Sequence, residues 1–522
     1  MAPPTLLSLA VCAVILVFAK RTLSKKHPPL PPGPRGEPLI GNFRSMPSED
    51  EDIFFHELGK KYGSVTYLSI LGKPFILLNS VKSAVDLLDK RGSNYSGRPR
   101  FPLTEVYSLS DNSLDLHDNF CLLISIGFKQ ALTFLTYGDD FRLHRRMLQK
   151  YFGKDKILLH RQTLIREARV LVQNLVSKPH NRDLLLMRFS TAMTIAVSYG
   201  HQIATDDDPY LKIADDVCRF AVPTLSPPEG SLIDLFPWLQ HFPTWFPGTY
   251  HANRAREARP FVRQLYEYPY ADVKRQLANG TAKPSFLATQ LEELQSGEVD
   301  PGVTIEHIQG ASAITYVAGA ETSSTLSIFI FALLLHPECQ AKAIVTLFRT
   351  LNVFCKKRTG ESLHLAWRDM MDDKNTSGVP HYTMEDDIYN GMFIPKGSIV
   401  IANARGMTLD ENVYHEPLTF NPDRFLPKPQ GRGEPHPNGS FGFGRRICPG
   451  RYLADDSLWI AIATILATLS ISKVIGDDGK QVTPKLAFTL GVTSHPRLFE
   501  CNIQPRNVIA ESLIAHGTNE VI

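Results

Sequence analysis

The stretch FGFGRRICPG, residues 441–450, decides the fold class. It places one cysteine, Cys448, in a basic and glycine-rich loop just before an apolar segment. Pro449 suits the first position of a helix, because it has no N–H to satisfy. Apolar residues then follow at helical spacing, at positions 458, 462, 465 and 469. The pattern therefore predicts Cys448 at the N-terminus of a buried helix, where free N–H groups and the helix dipole favour a thiolate.

The Cys448 sulfur could be a nucleophile, a metal ligand or simply a buried thiol. A catalytic cysteine needs a histidine base, and a zinc thiolate needs a second cysteine or histidine a few residues away. The surrounding sequence supplies neither. A single thiolate that binds haem iron needs only this arrangement. The loop glycines, at positions 442, 444 and 450, would let the backbone approach a flat group closely.

The composition is that of a large globular protein. The chain has 522 residues, of which 43% are hydrophobic and 21% are charged. The net charge is only +3, so the composition gives no sign of nucleic-acid binding. The seven cysteines include no C-x-x-C pair, which argues against a disulfide framework or a zinc ribbon and fits a reducing compartment.

The N-terminus predicts a membrane anchor over residues 1–26. No charged side chain occurs in residues 1–19, and four basic residues follow at positions 20, 21, 25 and 26. The apolar run is close to the roughly 20 residues that span a bilayer. A cleaved signal peptide is the alternative, but its basic residues would precede the apolar run and an A-x-A site would follow it. The positive-inside rule then places the remainder of the chain in the cytosol.

The remainder predicts a stiff hinge, a mainly helical α+β body over residues 37–506, and a C-terminal tail over residues 507–522. The hinge, HPPLPPGPRG at residues 27–36, is proline-rich and hence extended. VTYLSILGKPFILLNS, residues 65–80, predicts two strands around a Gly-Lys-Pro turn. Residues 83–92 predict a helix that stops at a glycine, and short strands are expected near residues 389–402 and at the C-terminal end.

Residues 311–335 carry a single charge, at Glu321. This stretch could be a second membrane span by length. A carboxylate at its centre would be costly in lipid, however. A long helix through the protein core, with Gly319 and a polar cluster at its middle, is the better interpretation.

Several motifs together resemble the cytochrome P-450 family. Its haem-loop pattern F-x-x-G-x-R-x-C-x-G is matched by Phe441, Gly444, Arg446, Cys448 and Gly450. AGAETS, residues 318–323, resembles the oxygen-binding kink of the family's central helix, and FNPDRF, residues 420–425, resembles the meander motif. YGDDFRLHRR, residues 137–146, is similar to the helix whose W-x-x-x-R reaches a haem propionate; here Phe141 replaces the tryptophan and Arg145 keeps the cation.

The resemblance implies a cytochrome P-450 fold, that is, a helical haem domain with small β-sheets preceded by one transmembrane helix. Cys448 would be the axial ligand of the iron of haem b, in a loop that also includes Phe441, Gly444 and Gly450. Arg145 and Arg446 would offset the two propionate charges. The resemblance also implies that Glu321 and Thr322 relay protons to bound dioxygen. A threonine hydroxyl bonded back to its own helix is the simpler alternative for Thr322.

The same resemblance implies a monooxygenase that takes electrons from NADPH through NADPH-cytochrome P-450 reductase. It would insert one atom of O2 into a small apolar organic substrate at the endoplasmic reticulum membrane, with the catalytic domain in the cytosol. Two further stretches are similar to fungal members that resemble O-methylsterigmatocystin oxidoreductase and act in secondary metabolism. The reductase would dock on basic residues, namely Arg142, Arg145, Arg146, Lys150, Arg445 and Arg451.

Two segments depart from the family pattern. Between Glu321 and Cys448 no glutamate has an arginine three residues on, so the family's E-x-x-R motif is missing. Residues 353–377 stand in its place, and residues 106–130 also look foreign. We therefore expect a buried Arg424 without its glutamate, at a cost of about 3–5 kcal/mol, with Glu361 as the first candidate replacement.

Two alternatives to an active monooxygenase remain open, the first of them because of this departure. One is an impaired haem-binding product of a defective gene model. The other is an isomerase or dehydratase on the same scaffold, which the pair Glu321 and Thr322 argues against, because such enzymes do not activate oxygen.

Overall fold

The computed structural model describes residues 27–47, 50–99, 127–128, 130–221, 242–243, 245–246, 250–319, 322–342, 378–437, 439–485, 487 and 496–516. The predicted anchor, Glu321, residues 353–377 and most of residues 106–130 lie outside these ranges. Predictions on those parts of the chain remain predictions.

The body is mainly helical, as predicted. In chain order the α-helices are α1 (Glu51–Tyr62), α2 (Val81–Ala84), α3 (Gly92–Tyr95), α4 (Asp139–Phe152), α5 (Arg161–Ser177), α6 (Arg182–Tyr199), α7 (Pro209–Asp216), α8 (Tyr250–Ala278), α9 (Phe286–Ser296), α10 (Ile305–Gly319), α11 (Thr322–Leu335), α12 (Ala404–Thr408), α13 (Arg451–Thr468) and α14 (Val508–His516). The strands are β1 (Val65–Ile70), β2 (Lys73–Leu78), β3 (His381–Tyr382), β4 (Asp387–Tyr389), β5 (Met392–Ile394), β6 (Ile399–Ala402), β7 (Leu469–Ser472) and β8 (Asn502–Pro505).

The strands form one four-stranded sheet, in the order β1-β2-β6-β3, and two strand pairs, β4-β5 and β7-β8. The predicted hairpin is confirmed, with Val65 opposite Leu78. Its turn lies one residue earlier than expected, at Leu71 and Gly72, and both residues have positive φ. The strand β6 joins β2 in parallel and brings residues 399–402 beside the hairpin.

The segment after β2 is helical, but it is not the single helix that the sequence predicted. Ser80 caps it by accepting a hydrogen bond from the Ser83 N–H, 3.1 Å away. The helix α2 then widens into a π-helical stretch, Val85–Lys90. Gly92 begins α3 instead of stopping a helix, so the predicted glycine stop is wrong.

The central stretch Ile305–Leu335 is long and apolar enough to cross a membrane, the single such helix within the described residues. However, 69% of its apolar window is buried inside the protein. The stretch comprises α10 and α11, and both pack against α6. At Gly319 this contact is so close that a Cβ would clash with the Thr194 side chain. The interpretation as a core helix therefore agrees with the structure.

The main hydrophobic core lies among the helices, and a second cluster lies between the four-stranded sheet and the Val85–Lys90 stretch. The predicted C-terminal tail contains an ordered helix, α14, which buries Ala510 and Ile514 against the main body. The haem-loop sequence thus lies between a helical core and a small sheet.

Candidate functional site

The loop of residues 441–450 folds back on itself before α13. The N–H of Cys448 donates to the carbonyl of Phe441 at 2.8 Å, and the N–H of Ile447 donates to the carbonyl of Gly444 at 3.1 Å. Gly450 is the N-cap of the helix, which begins at Arg451. The prediction that Pro449 takes the first helical position is therefore wrong by two residues, because the loop makes an additional turn after Cys448.

The loop glycines have different roles. Gly442 and Gly444 both have positive φ, which favours glycine. A Cβ on Gly444 would clash with the carbonyl oxygen of Leu88, so this glycine lets the loop pack closely on the Val85–Lys90 stretch. At Gly450 a Cβ would lie 3.9 Å from the Cys448 sulfur, an ordinary contact. In the structure, the close approach at Gly444 is therefore to protein backbone.

The Cys448 side chain is partly buried. Desolvation raises the pKa of its thiol, although the N–H of Gly450 and the charges of Arg145 and Arg451 act in the opposite direction. Burial therefore opposes the thiolate that the sequence favoured at this helix end. A thiol with a raised pKa is a poor free nucleophile. A metal cation, however, deprotonates a coordinating thiol outright.

Beside the loop, the structure brings together three arginines, Arg98, Arg145 and Arg446. Arg145 lies on α4, is buried, and donates to the carbonyl of Ile447 in the cysteine loop. Arg446 donates to the carbonyls of Ser96 and Leu135, at 2.9 and 2.7 Å. Its guanidinium also stacks 3.9 Å from the ring centroid of Phe141, the residue that replaces the family tryptophan.

Arg98 is also buried. It donates to the carbonyl oxygens of Thr133, Val379 and Pro380, at 3.1, 2.8 and 2.6 Å. Burial, followed by the charge of Arg446, lowers its pKa. Burial likewise lowers the pKa of Arg446 to about 9, with Arg145 as the second cause.

A buried histidine, His381, belongs to the same group. Its Nδ1 lies 2.8 Å from the carbonyl oxygen of Tyr95. Burial, followed by the charge of Arg98, lowers its pKa to about 3. Among the described residues, the three arginines are satisfied by carbonyl oxygens and by no carboxylate. Buried charges are usually paired, so this cluster fits a ligand with anionic groups.

The donor set therefore fits haem, which presents iron to a cysteine sulfur and two carboxylates to cations. Cys448 would supply the sulfur, and Arg98, Arg145, Arg446 and His381 are the groups that would meet the carboxylates. Sequence reasoning missed Arg98 and His381, which lie 283 residues apart. Strand-like pairing of Gly97 with Tyr382 brings Arg98 and His381 together. No local sequence pattern predicts this contact.

The predicted oxygen-activating pair is described in part. Thr322 is the first residue of α11 and is 8% exposed, whereas Glu321 lies outside the described residues. Ala318, in the last turn of α10, is exposed, and it lies at the position where the sequence predicted oxygen binding.

The predicted docking face is less positive than the sequence suggested. Arg145 is buried, and three of the other basic residues form ion pairs: Arg142 with Asp139 at 2.8 Å, Arg146 with Asp300 at 2.6 Å and Lys150 with Glu293 at 2.6 Å. Arg445 is exposed and lies against Tyr137. Within the described part of the chain, Arg445 and Arg451 contact no carboxylate.

Arg424 is not left without a carboxylate. It is buried and pairs with Glu434, with a distance of 3.2 Å between Arg424 Nη1 and Glu434 Oε2. The expected uncompensated charge is therefore wrong. Glu361, the replacement considered from sequence, lies outside the described residues, and Glu434 was missed because the pair lies within one loop and not on a helix.

A family model described as Cytochrome P450 matches residues 31–345 and 374–502. The chain belongs to the cytochrome P450 family. The unmatched residues, 346–373, overlap the segment 353–377 that looked foreign in the sequence. Haem b is the cofactor of this family, and the chain is a member of a family of monooxygenases.

Curated fungal relatives align with almost the whole chain. Cytochrome P450 monooxygenase 136 of Postia placenta is 33% identical over 524 residues, which cover 98% of this chain and 94% of the relative. Cytochrome P450 monooxygenase COX2 of Coprinopsis cinerea is also 33% identical, with 98% and 96% covered. A zebra fish cytochrome P450 solved with abiraterone superposes with a TM-score of 0.64 at 21% identity, covering 87% of this chain and 100% of that chain, which supports the fold alone.

Proposed function

We propose that this chain is a fungal haem-thiolate monooxygenase of secondary metabolism that oxidises a small apolar organic substrate. The observation that carries the proposal is the placement of Cys448, a partly buried sulfur, beside a cluster of cations that lack carboxylate partners among the described residues. Cys448 would be the axial ligand. Arg98, Arg145 and Arg446 would hold the propionates, with His381 as a neutral donor or acceptor.

Haem bound at Cys448 supplies the activation of dioxygen, and the protein supplies positioning and protons. The Gly450 N–H, which lowers the pKa of the Cys448 thiol, would tune how strongly the sulfur donates electron density. The Thr322 hydroxyl, at the start of α11, would hold water and pass a proton toward the oxygen site. Glu321, the neighbouring carboxylate in the sequence, would resupply that proton.

Electrons would come from NADPH through a reductase, and residues 1–26 would anchor the chain in the endoplasmic reticulum membrane with the body in the cytosol. Arg445, which is exposed, and Arg451, which is half-buried, are the docking residues that this proposal favours, because no carboxylate offsets either one within the described part of the chain. Complementary surface charge raises association rates.

The reduced carbon-monoxide difference spectrum of the full chain tests the proposal. The wild type should show the thiolate-type Soret band, and Cys448→Ala should lose it. Turnover of NADPH with the reductase and an apolar substrate should then give one oxygenated product per O2 consumed. A wild-type chain that binds haem but never shows the thiolate band would overturn the proposal.

The interruption of the family match at residues 346–373 favours a second candidate, an impaired product of a defective gene model. Sequencing of full-length cDNA separates the two. Transcripts that carry an E-x-x-R helix in place of residues 353–377 would support the second candidate, and transcripts identical to this chain would remove it.

A further inference from the structure

We propose that Glu434 is a positioning residue that fixes the entry of the cysteine loop through Arg424, in the role that the E-x-x-R glutamate has in the family pattern. The inference rests on the proposed function for Cys448. It does not require a residue from the segment 353–377.

Glu434 and Arg424 are joined by two contacts, one through the backbone and one through the side chains. The Glu434 N–H donates to the Arg424 carbonyl at 2.9 Å, and the Arg424 guanidinium donates to the Glu434 carboxylate at 3.2 Å. The side chains are only 4% and 9% exposed for Arg424 and Glu434. A backbone contact and a side-chain contact between the same two residues restrict the conformation of the loop between them more than either contact alone.

The remaining hydrogen bonds of both side chains connect the Arg424–Glu434 pair to the preceding turn. Arg424 Nη2 donates to the carbonyls of Glu416 and Thr419, at 3.0 and 2.7 Å. Glu434 Oε1 accepts from the His415 N–H at 3.1 Å. The pair therefore ties residues 415–419 to residues 424–434. Loss of the carboxylate would leave a buried guanidinium with carbonyl partners only, among the described residues.

The chain runs from the Arg424–Glu434 pair directly into the cysteine loop. Two residues after Glu434, His436 stacks on Phe425 with ring centroids 5.0 Å apart. A Cβ on Gly439 would lie 3.0 Å from the buried Phe443 ring, so the backbone is tightly held there as well. The Phe441 carbonyl then accepts the Cys448 N–H. A displaced Glu434 would therefore shift the start of the loop that positions the Cys448 sulfur.

Arg432 provides a matched control in the same loop. Its guanidinium lies 3.8 Å from the other carboxylate oxygen of Glu434, but its side chain is 36% exposed. Arg432→Gln therefore removes a charge beside Glu434, together with contacts to the His415 ring and carbonyl at 2.8 and 2.9 Å, without breaking the buried pair. Glu434→Asp is the conservative variant, because it keeps the charge and shortens the side chain by one methylene.

The experiment compares Glu434→Gln, Glu434→Asp and Arg432→Gln with the wild type. The first readout is the fraction of bound haem that gives the thiolate-type carbon-monoxide band. We expect the thiolate-to-thiol ratio to fall at least about tenfold in Glu434→Gln, as for loss of a hydrogen bond to a charged group. Glu434→Asp should recover part of the ratio, and Arg432→Gln should match the wild type.

The second readout is hydrogen exchange of the amides of residues 434–448 in the protein without haem. Exchange there should accelerate in Glu434→Gln, while the urea midpoint of global unfolding shows a smaller change. Hydrogen exchange tests the role of Glu434 even if the wild type gives no thiolate band. A missing thiolate band in the wild type would count against the proposed function instead.

Unchanged exchange and an unchanged thiolate ratio in Glu434→Gln would overturn the proposal, as would an equal loss in Arg432→Gln. If Glu434→Gln fails to fold, the double variant Arg424→Met/Glu434→Met replaces the pair by apolar side chains, a change that buried ion pairs often tolerate. A folded double variant with fast exchange at residues 434–448 supports the proposal. One with wild-type exchange overturns it.

Discussion

Gly319→Ala tests the contact that places the central helix. A Cβ at Gly319 would lie 2.8 Å from Thr194 Cβ and would clash with Thr194 Cγ2. Carbon atoms pack best at about 3.5–4.0 Å, so α10 and α6 must separate by about 1 Å or Thr194 must turn. Turning is opposed, because the Thr194 hydroxyl is buried and donates to the Ser190 carbonyl at 3.0 Å.

The size of the expected change in the free energy of unfolding follows from two opposing effects. Overpacking in a dense core costs about 1–3 kcal/mol, whereas alanine is favoured over glycine within a helix by about 0.5–1 kcal/mol. We therefore expect Gly319→Ala to lower the free energy of unfolding by about 1–2 kcal/mol. Gly138→Ala is the control, because a Cβ there has no atom within 4 Å, and its effect should stay within about 1 kcal/mol, the cost of alanine at the N-cap of α4.

Urea unfolding followed by circular dichroism measures both variants, together with Thr194→Ala and the double variant. Because Thr194→Ala removes the clashing Cγ2 atom, the double variant should be more stable than the sum of the single effects by about 1 kcal/mol. Additive effects, or a Gly319→Ala midpoint equal to that of the wild type, would refute the close approach of α10 and α6.

Three predictions concern the haem site and one concerns the reductase. Cys448→Ala should retain some haem but lose the thiolate band; persistence of that band would exclude Cys448 as the ligand. Arg98→Gln should release haem at least about tenfold faster, because a charge-assisted hydrogen bond is lost, whereas the exposed Arg44→Gln should not; equal release rates would remove Arg98 from the site. Thr322→Ala should keep haem and divert NADPH electrons to hydrogen peroxide, and unchanged coupling would leave only the alternative of a hydroxyl bonded back to its own helix. Arg445→Glu should slow reduction by the reductase at low salt and less at high salt; a wild-type rate at low salt would contradict docking at Arg445.

The sequence predicted the elements whose signals are local. The hairpin of β1 and β2 alternates around a turn, and the central helix is apolar apart from its centre, so both were found. Boundaries were less accurate where backbone geometry decides them. Pro449 precedes the helix N-cap instead of following it, and Gly92 begins a helix, because tertiary packing sets where each helix can start.

The site residues that were missed depend on contacts between distant segments. Arg98 and His381 meet because strand pairing joins two ends of the chain, and neither residue lies in a motif that its own neighbours define. Glu434 was missed for a different reason: the search required an arginine three residues later on a helix. The structure satisfies the charge of Arg424 within a loop, ten residues along the chain.

The arginine cluster has a consequence for biosynthesis. The charge of Arg446 acts on Arg98 and that of Arg145 acts on Arg446, so carboxylates that arrive with the cofactor would stabilise the folded arrangement of the segments that carry these arginines. Because a ligand that binds only the folded state increases its population, haem supply should set how much of the chain survives cellular quality control. A cell short of haem would accumulate little of this protein, even with abundant transcript.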